Sequence, residues 1–232
     1  MPPAAKTRKT AVTRETYHHN DLPKAVIAKA VELITARGGP DFSLREIATA
    51  LGVSHSAVYR HFADKTALLN AVTALGFEAL GSYQAQAQAA ADSNPLDELR
   101  ALCVAYVTFA REQPGYFALM FHSHPVTEDT ARGRDEHNSE ALGKLVETIR
   151  QAQAAGLIIP GNAERIAAYL VLAPHGMASF HAQGHVPAFI AAHQKDGPLS
   201  ADWLSEVALA PLLATPLQPE QFAKRFFDAP EG

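Results

Sequence analysis

The stretch "SLREIATALGVSHSAVYRHF", residues 43–62, contains two helix-start signals with one glycine between them. Ser43 and Glu46 have the S-x-x-E spacing of a capping box, in which each side chain accepts a hydrogen bond from a backbone N–H at the start of the helix. Gly52 then interrupts the apolar pattern, and Ser54 can cap a second short helix. Glycine adopts a left-handed turn conformation without a Cβ clash. The stretch therefore predicts a helix-turn-helix.

The second helix of this unit is rich in side chains that form hydrogen bonds. They are Ser54, His55, Ser56, Tyr59, Arg60 and His61, whereas Val58 and Phe62 are expected to face inward. In a DNA-binding helix-turn-helix the second helix enters the major groove, where polar side chains reach bases and phosphates. Short helical turns with glycine also occur in proteins that never bind DNA, so the pattern leaves an ordinary surface as an alternative.

Helical periodicity extends along the rest of the chain. One helix is predicted from Asn20 to the "RGGP" at 37–40, a long one from Asp64 to Ala91, and another from Leu96 to the "QPG" at 113–115. Further helices are predicted near 116–122, 142–156, 163–183 and 201–214. The alternating pattern of a β-strand is absent, so the predicted fold is all-α with roughly nine helices.

Charge is distributed unevenly along the chain. Residues 1–66 carry ten Lys/Arg and six Asp/Glu, whereas the remaining residues carry ten and eighteen, for a net charge of −4. A basic front on an acidic body suggests a polyanionic partner for the N-terminal part. Residues 1–16 are polar and basic without periodicity, and we interpret them as a flexible basic arm.

The composition excludes several classes of protein. Apolar residues make up 47% of the chain, which is enough for a core, and the single cysteine, Cys103, permits no intramolecular disulfide. No apolar run reaches the roughly 18 residues that cross a bilayer, and no apolar segment follows the basic N-terminus. No catalytic motif or phosphate-binding glycine loop is present. We expect a cytoplasmic protein that is not an enzyme and needs no cofactor.

The segment from Tyr17 to about Val72 resembles the N-terminal domain of the TetR family of bacterial transcriptional regulators. The matching pieces are "YHHNDLPKAVIAKAVELI" and "FSLREIATALGVSHSAVYRHFADKTALLNAV", and the run "GVS…VYRHFADKTALL" is the most specific part. The resemblance implies a helix-turn-helix DNA-binding domain over 17–66, with three helices, and a larger helical ligand-binding and dimerisation domain over 67–232.

The resemblance also implies roles for individual residues. Residues 43–50 would position the domain and 54–60 would read the DNA, with Ser43 and Arg45 beside the same groove. Ser54, His55 and Ser56 would contact bases, whereas Tyr59, His61 and Lys65 would contact phosphates. The chemistry agrees, because hydroxyl and ammonium groups are good donors to phosphate.

In such regulators the C-terminal helices hold an effector pocket and form a homodimer that binds an inverted-repeat operator. The helices near 163–183 and 201–214 are the expected dimer interface. The pocket is expected between these helices and those at 96–111 and 136–155, and its mostly apolar character suggests a small apolar effector of unknown identity. The candidate pocket residues are Tyr106, Phe109, Phe121, Tyr169 and His175.

The run "LAPHGMASF" at 172–180 resembles a C-terminal subgroup of the family marked by Trp-His-Gly, with Pro174 in place of the tryptophan. Proline lacks the backbone N–H and is expected to bend this helix.

Seven histidines follow residue 120, namely His122, His124, His137, His175, His181, His185 and His193. Two pairs of them have spacings that zinc tolerates, but no acidic or cysteine ligand stands nearby, so we predict no metal site. The main prediction is therefore a repressor released from DNA by a small effector. A metal- or pH-responsive regulator that uses these histidines, and a DNA-binding protein without an effector, remain the alternatives.

Overall fold

The computed structural model describes residues 22–91, 94–121, 142–182 and 201–215, with single positions at 188, 218, 220, 221 and 224. The arm predicted over 1–16 lies outside the described residues. Nine α-helices are numbered along the described residues: α1 Leu22–Arg37, α2 Leu44–Ala50, α3 His55–Tyr59, α4 Lys65–Ala90, α5 Pro95–Glu112, α6 Pro114–Phe121, α7 142–154, α8 Ala163–Ala182 and α9 Ala201–Leu209. A 3₁₀ turn, Ala210–Leu212, follows α9.

The all-α prediction is confirmed. Within the described ranges the β-type pairing is limited to a single bridge between Ile158 and Leu213. None of the described helices is long and apolar enough to cross a membrane.

Side-chain caps begin the helices of the N-terminal unit where the sequence predicts them. Ser43 Oγ accepts a hydrogen bond from the backbone N–H of Glu46 at 3.2 Å, which starts α2. Ser54 Oγ accepts from Ala57 N at 3.2 Å to start α3, and Asp64 Oδ1 accepts from Ala67 N at 2.8 Å to start α4. Each cap satisfies a donor that has no partner within the helix, which contributes about 1 kcal/mol per helix.

The turn between α2 and α3 depends on Gly52, whose φ is +66°. Gly52 N donates to the Thr49 carbonyl at 3.1 Å, and Val53 N donates to the Ala48 carbonyl at 3.0 Å. This is a Schellman arrangement, which ends a helix at a residue in the left-handed conformation. The predicted helix-turn-helix is therefore present with the turn at the predicted glycine.

The core of the N-terminal unit is formed mainly by α1 to α4. Buried side chains of these helices include Val26, Ile47, Val58 and Leu68, all at 0% exposure. The helix α4 runs across position 66, and Leu69 and Val72 belong to this same core. The two predicted domains therefore share α4, which extends without interruption from the DNA-binding unit into the C-terminal body.

The short helix α6 joins the N-terminal core to the body. Ala118 and Leu119 belong to the core of the N-terminal unit, whereas Phe117 and Met120 belong to a second cluster with Phe77 and Phe109. At its N-terminus, Gly115 lies so close to α1 that a Cβ there would stand 2.8 Å from the Val31 carbonyl oxygen. The body is completed by a third cluster formed mainly by α5, α7, α8 and α9.

Candidate nucleic-acid interface and ligand cavity

The helix α3 presents most of its surface to solvent. Val58 is fully buried against the N-terminal core, whereas Tyr59 is 45% exposed. His55 and Ser56 at the start of the helix and Arg60 at its C-cap are also exposed. One buried anchor thus fixes a short helix whose polar side chains are accessible from outside.

The predicted flanking residues lie beside α3. Ser43 and Arg45 are exposed at the start of α2, and His61 is exposed just after α3. Lys65, the first residue of α4, is half-buried and holds its ammonium 5.1 Å from the centre of the Phe42 ring. A cation held over an aromatic ring keeps its charge at the surface in a restricted position. All eight residues predicted to contact DNA therefore lie in the segment from the N-cap of α2 to the start of α4.

Ser54 differs from the other predicted DNA contacts. Its hydroxyl oxygen caps α3 and lies 3.1 Å from the Ser56 hydroxyl oxygen. Arg60, to which the resemblance gives no role, adds an exposed cation at the end of the same helix.

The acidic side chain of α2 is compensated. The Glu46 carboxylate forms an ion pair with the Arg37 guanidinium and accepts a hydrogen bond from it. That hydrogen bond is the main reason that the pKa of Glu46 is lowered. A backbone hydrogen bond from Ser43 lowers the same pKa further. The pair links the end of α1 to α2, so the one carboxylate of α2 has a cation beside it near this surface.

A mainly apolar cavity of about 240 Å³ lies within the helical body. It is lined by residues of α4, α5, α6, α7 and α8. The lining residues are Leu80, Gln84, Leu102, Cys103, Tyr106, Phe121, Leu142, Leu145, Leu170, Val171 and Pro174.

A polar pair lies at one side of this cavity. The Tyr106 hydroxyl oxygen and His175 Nδ1 are 2.8 Å apart and form a hydrogen bond. The His175 ring stands edge-on to Phe121 with 4.9 Å between centroids, and Phe117 lies 5.7 Å from it. Burial raises the pKa of Tyr106 above its usual value and lowers that of His175, so both side chains are uncharged near neutral pH.

The structure brings together three of the five residues predicted for the pocket. Tyr106 and Phe121 line the cavity. His175 contacts both of them but is not itself part of the lining. Phe109 is fully buried against Tyr83 and Phe117 and does not reach the wall. Tyr169 is 41% exposed on α8 and is likewise not part of the lining.

Most of the wall consists of apolar residues that the sequence did not single out. They recur at helical spacing, as Leu142 and Leu145 do on α7. The same spacing marks an ordinary buried face, so the sequence carried no signal that separates a cavity wall from a core.

A second apolar surface lies on α8. Leu172 is 71% exposed, and Tyr169 is exposed one turn before it. On α9, the predicted interface helix, Leu204 and Val207 are half-buried within this single chain.

Of the seven C-terminal histidines, only His175 has a described side chain. His122, His124, His137, His185 and His193 lie outside the described residues. Within the part of the chain that the structure describes, no group of three or more His, Cys, Asp or Glu side chains is arranged to hold a metal ion.

Comparison with known families gives two adjoining matches. Residues 26–72 match the family described as "Bacterial regulatory proteins, tetR family", and residues 99–197 match the family described as "Tetracyclin repressor-like, C-terminal domain". Together the two matches cover more than half of the chain.

Individual relatives agree with these matches. The HTH-type transcriptional regulator AcrR of Shigella flexneri is 33% identical over 101 residues, which is 44% of this chain and 43% of that regulator. The chain thus matches less than half the length of this curated relative. A protein of unknown function from Rhodococcus sp. RHA1 is 31% identical, with a TM-score of 0.69 over 86% of this chain and all of that one.

The fold is also that of AibR, whose structure is described as a complex with isovaleryl coenzyme A and operator DNA. The two chains are 23% identical with a TM-score of 0.64, over 84% of this chain and 99% of AibR.

Proposed function

Since the chain belongs to the TetR family of bacterial regulatory proteins, we propose that it is a homodimeric repressor that binds an inverted-repeat operator and is released by a small effector. The observation that carries the proposal is the exposed polar surface of the helix-turn-helix, with α3 anchored by a single buried valine. A binding role requires no catalytic centre, and a chromosomal target places the protein in the cytoplasm. AibR, which has the same fold, binds both kinds of partner according to its description.

Residues of the surface fall into two groups by position. His55 and Ser56 occupy the first turn of α3, the part of a recognition helix that meets base edges. Tyr59, His61 and Lys65 follow along the chain, and Ser43 and Arg45 stand at the start of α2. Their hydroxyl, imidazole and cationic groups would contact the sugar-phosphate backbone. Ser54 contributes by fixing the start of α3, and when Ser56 donates to it the Ser54 hydroxyl hydrogen can be donated to DNA.

The proposed route from effector to DNA passes through α6. Phe121 at its C-terminal end lines the cavity, and Gly115 near its N-terminal end lies against α1 of the DNA-binding unit. A ligand in the cavity that favours a shifted α6 would therefore move α1 and with it α3. Release follows if this shifted state holds the two α3 helices of the dimer out of register with successive major grooves.

The experiment that tests the proposal is selection of genomic fragments by the purified protein, followed by binding to the recovered site at several salt concentrations. We expect an inverted repeat with half-sites roughly one helical turn apart or slightly more. Affinity should fall by about tenfold or more between 50 and 200 mM salt, because phosphate contacts release counterions. Binding without a recovered consensus, or without salt dependence, contradicts the proposal.

A second experiment separates base contacts from phosphate contacts. Replacing His55 by Ala should relax the preference at one operator position per half-site by about 1–3 kcal/mol, because His55 begins the recognition helix. Tyr59→Phe and Lys65→Ala should weaken all sequences alike, because phosphates carry no sequence information. Binding of an operator library before and after each change measures both effects. If H55A leaves the consensus unchanged while Y59F alters it, the reading surface is assigned wrongly.

A further inference from the structure

Pro174 removes one backbone hydrogen bond from α8 next to the cavity. In a regular α-helix the carbonyl of residue 170 accepts a hydrogen bond from the N–H of residue 174. Pro174 has no N–H, although α8 continues as a helix through it to Ala182. Leu170 and Pro174 both line the cavity. The Leu170 carbonyl therefore lacks its usual helical donor on a residue of the wall.

A second polar group reaches the same cavity from α5. The Tyr106 hydroxyl lies 2.8 Å from His175 Nδ1, and Tyr106 lines the cavity while His175 does not. When Nδ1 carries the imidazole hydrogen and donates it to the Tyr106 oxygen, the Tyr106 hydroxyl hydrogen is left to donate into the cavity. The pair then acts as a fixed donor, and His175 sets the direction of that donor from outside the wall.

The described part of the wall offers no partner to a charged group. Among the described residues that line the cavity there is no Lys, Arg, Asp or Glu, and Gln84 is the one amide. An anion placed beside these residues would lose part of its hydration without gaining a cationic partner from them.

We propose that the effector is an uncharged molecule of roughly ten non-hydrogen atoms that carries a single hydroxyl group, as a phenol or alcohol does. Its oxygen accepts a hydrogen bond from Tyr106, and its hydrogen is donated to the Leu170 carbonyl. The size follows from the cavity volume of about 240 Å³, since a cavity of about 150 Å³ suffices for benzene. This inference rests on the proposed function, and it gives the effector a different chemistry from the coenzyme A thioester bound by AibR.

The test uses three probes that share a butylphenyl group, namely 4-butylphenol, butylbenzene and 4-butylbenzoate. Each is titrated calorimetrically into the full-length protein without DNA, so that the result does not depend on an operator. We expect 4-butylphenol to bind at least about fivefold more tightly than butylbenzene, because two hydrogen bonds are gained. The benzoate should bind at least about tenfold more weakly than the phenol, because its charge is buried without a partner.

Two variants locate the hydroxyl group, and one controls for them. Tyr106→Phe keeps the ring and should reduce the advantage of the phenol over butylbenzene, because one of the two hydrogen bonds is lost. Pro174→Ala restores an N–H for the Leu170 carbonyl, so it should raise thermal stability while it reduces the same advantage. The control is Tyr83→Phe, which removes a hydroxyl that bonds Glu112 at 2.8 Å outside the cavity and should leave the advantage intact.

Several results overturn the inference. The inference is wrong if 4-butylbenzoate or isovaleryl coenzyme A binds as tightly as 4-butylphenol. It is also wrong if 4-butylphenol and butylbenzene bind the unaltered protein with equal affinity, or if no probe binds at concentrations up to its solubility limit. Gel shifts with the selected operator distinguish a failure of the effector proposal from a failure of the proposed function. An operator complex without probe binding contradicts only the effector class, whereas probe binding without an operator complex contradicts only the regulatory role.

Discussion

Replacement of Leu172 by aspartate should convert the dimer into monomers and lower affinity for the inverted-repeat operator by at least about 100-fold. Leu172 is the most exposed of the large apolar side chains in the described residues, at 71%, and it lies on α8 with the exposed Tyr169 beside it. An apolar patch of this kind on a helix is typical of a surface that a partner covers. A carboxylate at its centre would have to be desolvated when the dimer forms, which opposes association.

The loss of operator affinity follows from the loss of the second half-site. Each monomer would keep an intact α3, because the core of the N-terminal unit contains no residue of α8 or α9. One recognition helix alone reads few base pairs, so a monomer should bind a single half-site weakly. Light scattering measures the mass, and gel shifts on one-half-site and two-half-site DNA measure the affinities.

The matched control for this variant is Leu75→Asp. Leu75 is also exposed, at 36%, but it lies on α4 and belongs to neither proposed interface helix. It should leave the mass and the operator affinity of the dimer unchanged. A persistent dimer in L172D shows that α8 is not the interface. Val207→Asp then tests α9, the other predicted interface helix, where Val207 is half-buried.

The helix-turn-helix could be predicted in detail because its determinants are local. Ser43, Ser54 and Asp64 each cap a helix through a backbone N–H three residues away, and Gly52 ends α2 through its own φ angle. Interactions between neighbours in sequence leave a readable spacing. The link from Arg37 to Glu46 left no such trace, since it joins residues nine positions apart on different helices.

The cavity could be predicted only in part, for a physical reason. A wall and a core both require apolar side chains at helical spacing, and the difference lies in how far apart the helices pack. Phe109 and Tyr106 lie one turn apart on α5, yet Phe109 is sealed against Phe117 while Tyr106 faces the cavity. That difference depends on α6 and α8, which the sequence of α5 does not record. The acceptor role that we propose for the Leu170 carbonyl could be inferred only from the position of the cavity together with the missing N–H of Pro174.

Gly115→Ala tests the contact through which the cavity is proposed to act on DNA. Gly115 is the second residue of α6, and an added Cβ would stand 2.8 Å from the Val31 carbonyl oxygen and would also overlap Thr35 Oγ1. The threonine hydroxyl can rotate away, but a backbone carbonyl inside α1 cannot. The two helices must therefore separate, and we expect the free energy of unfolding to fall by about 1–3 kcal/mol.

The same change should mimic the effector. A forced separation of α6 from α1 displaces the DNA-binding unit in the absence of any ligand, so operator affinity should fall by about tenfold or more, and a bound effector should lower it little further.

The matched control is Gly81→Ala in α4, where an added Cβ meets nothing within 4 Å. Alanine at that helical position should stabilise the fold by about 0.5–1 kcal/mol and leave operator binding unchanged. Chemical unfolding and operator titration of both variants measure these effects. If G115A is destabilised as expected but binds and releases the operator as the unaltered protein does, the signal does not travel through the contact between α6 and α1. The shared α4, which runs from the DNA-binding unit to the cavity residue Leu80, would then be the remaining physical connection among the described helices.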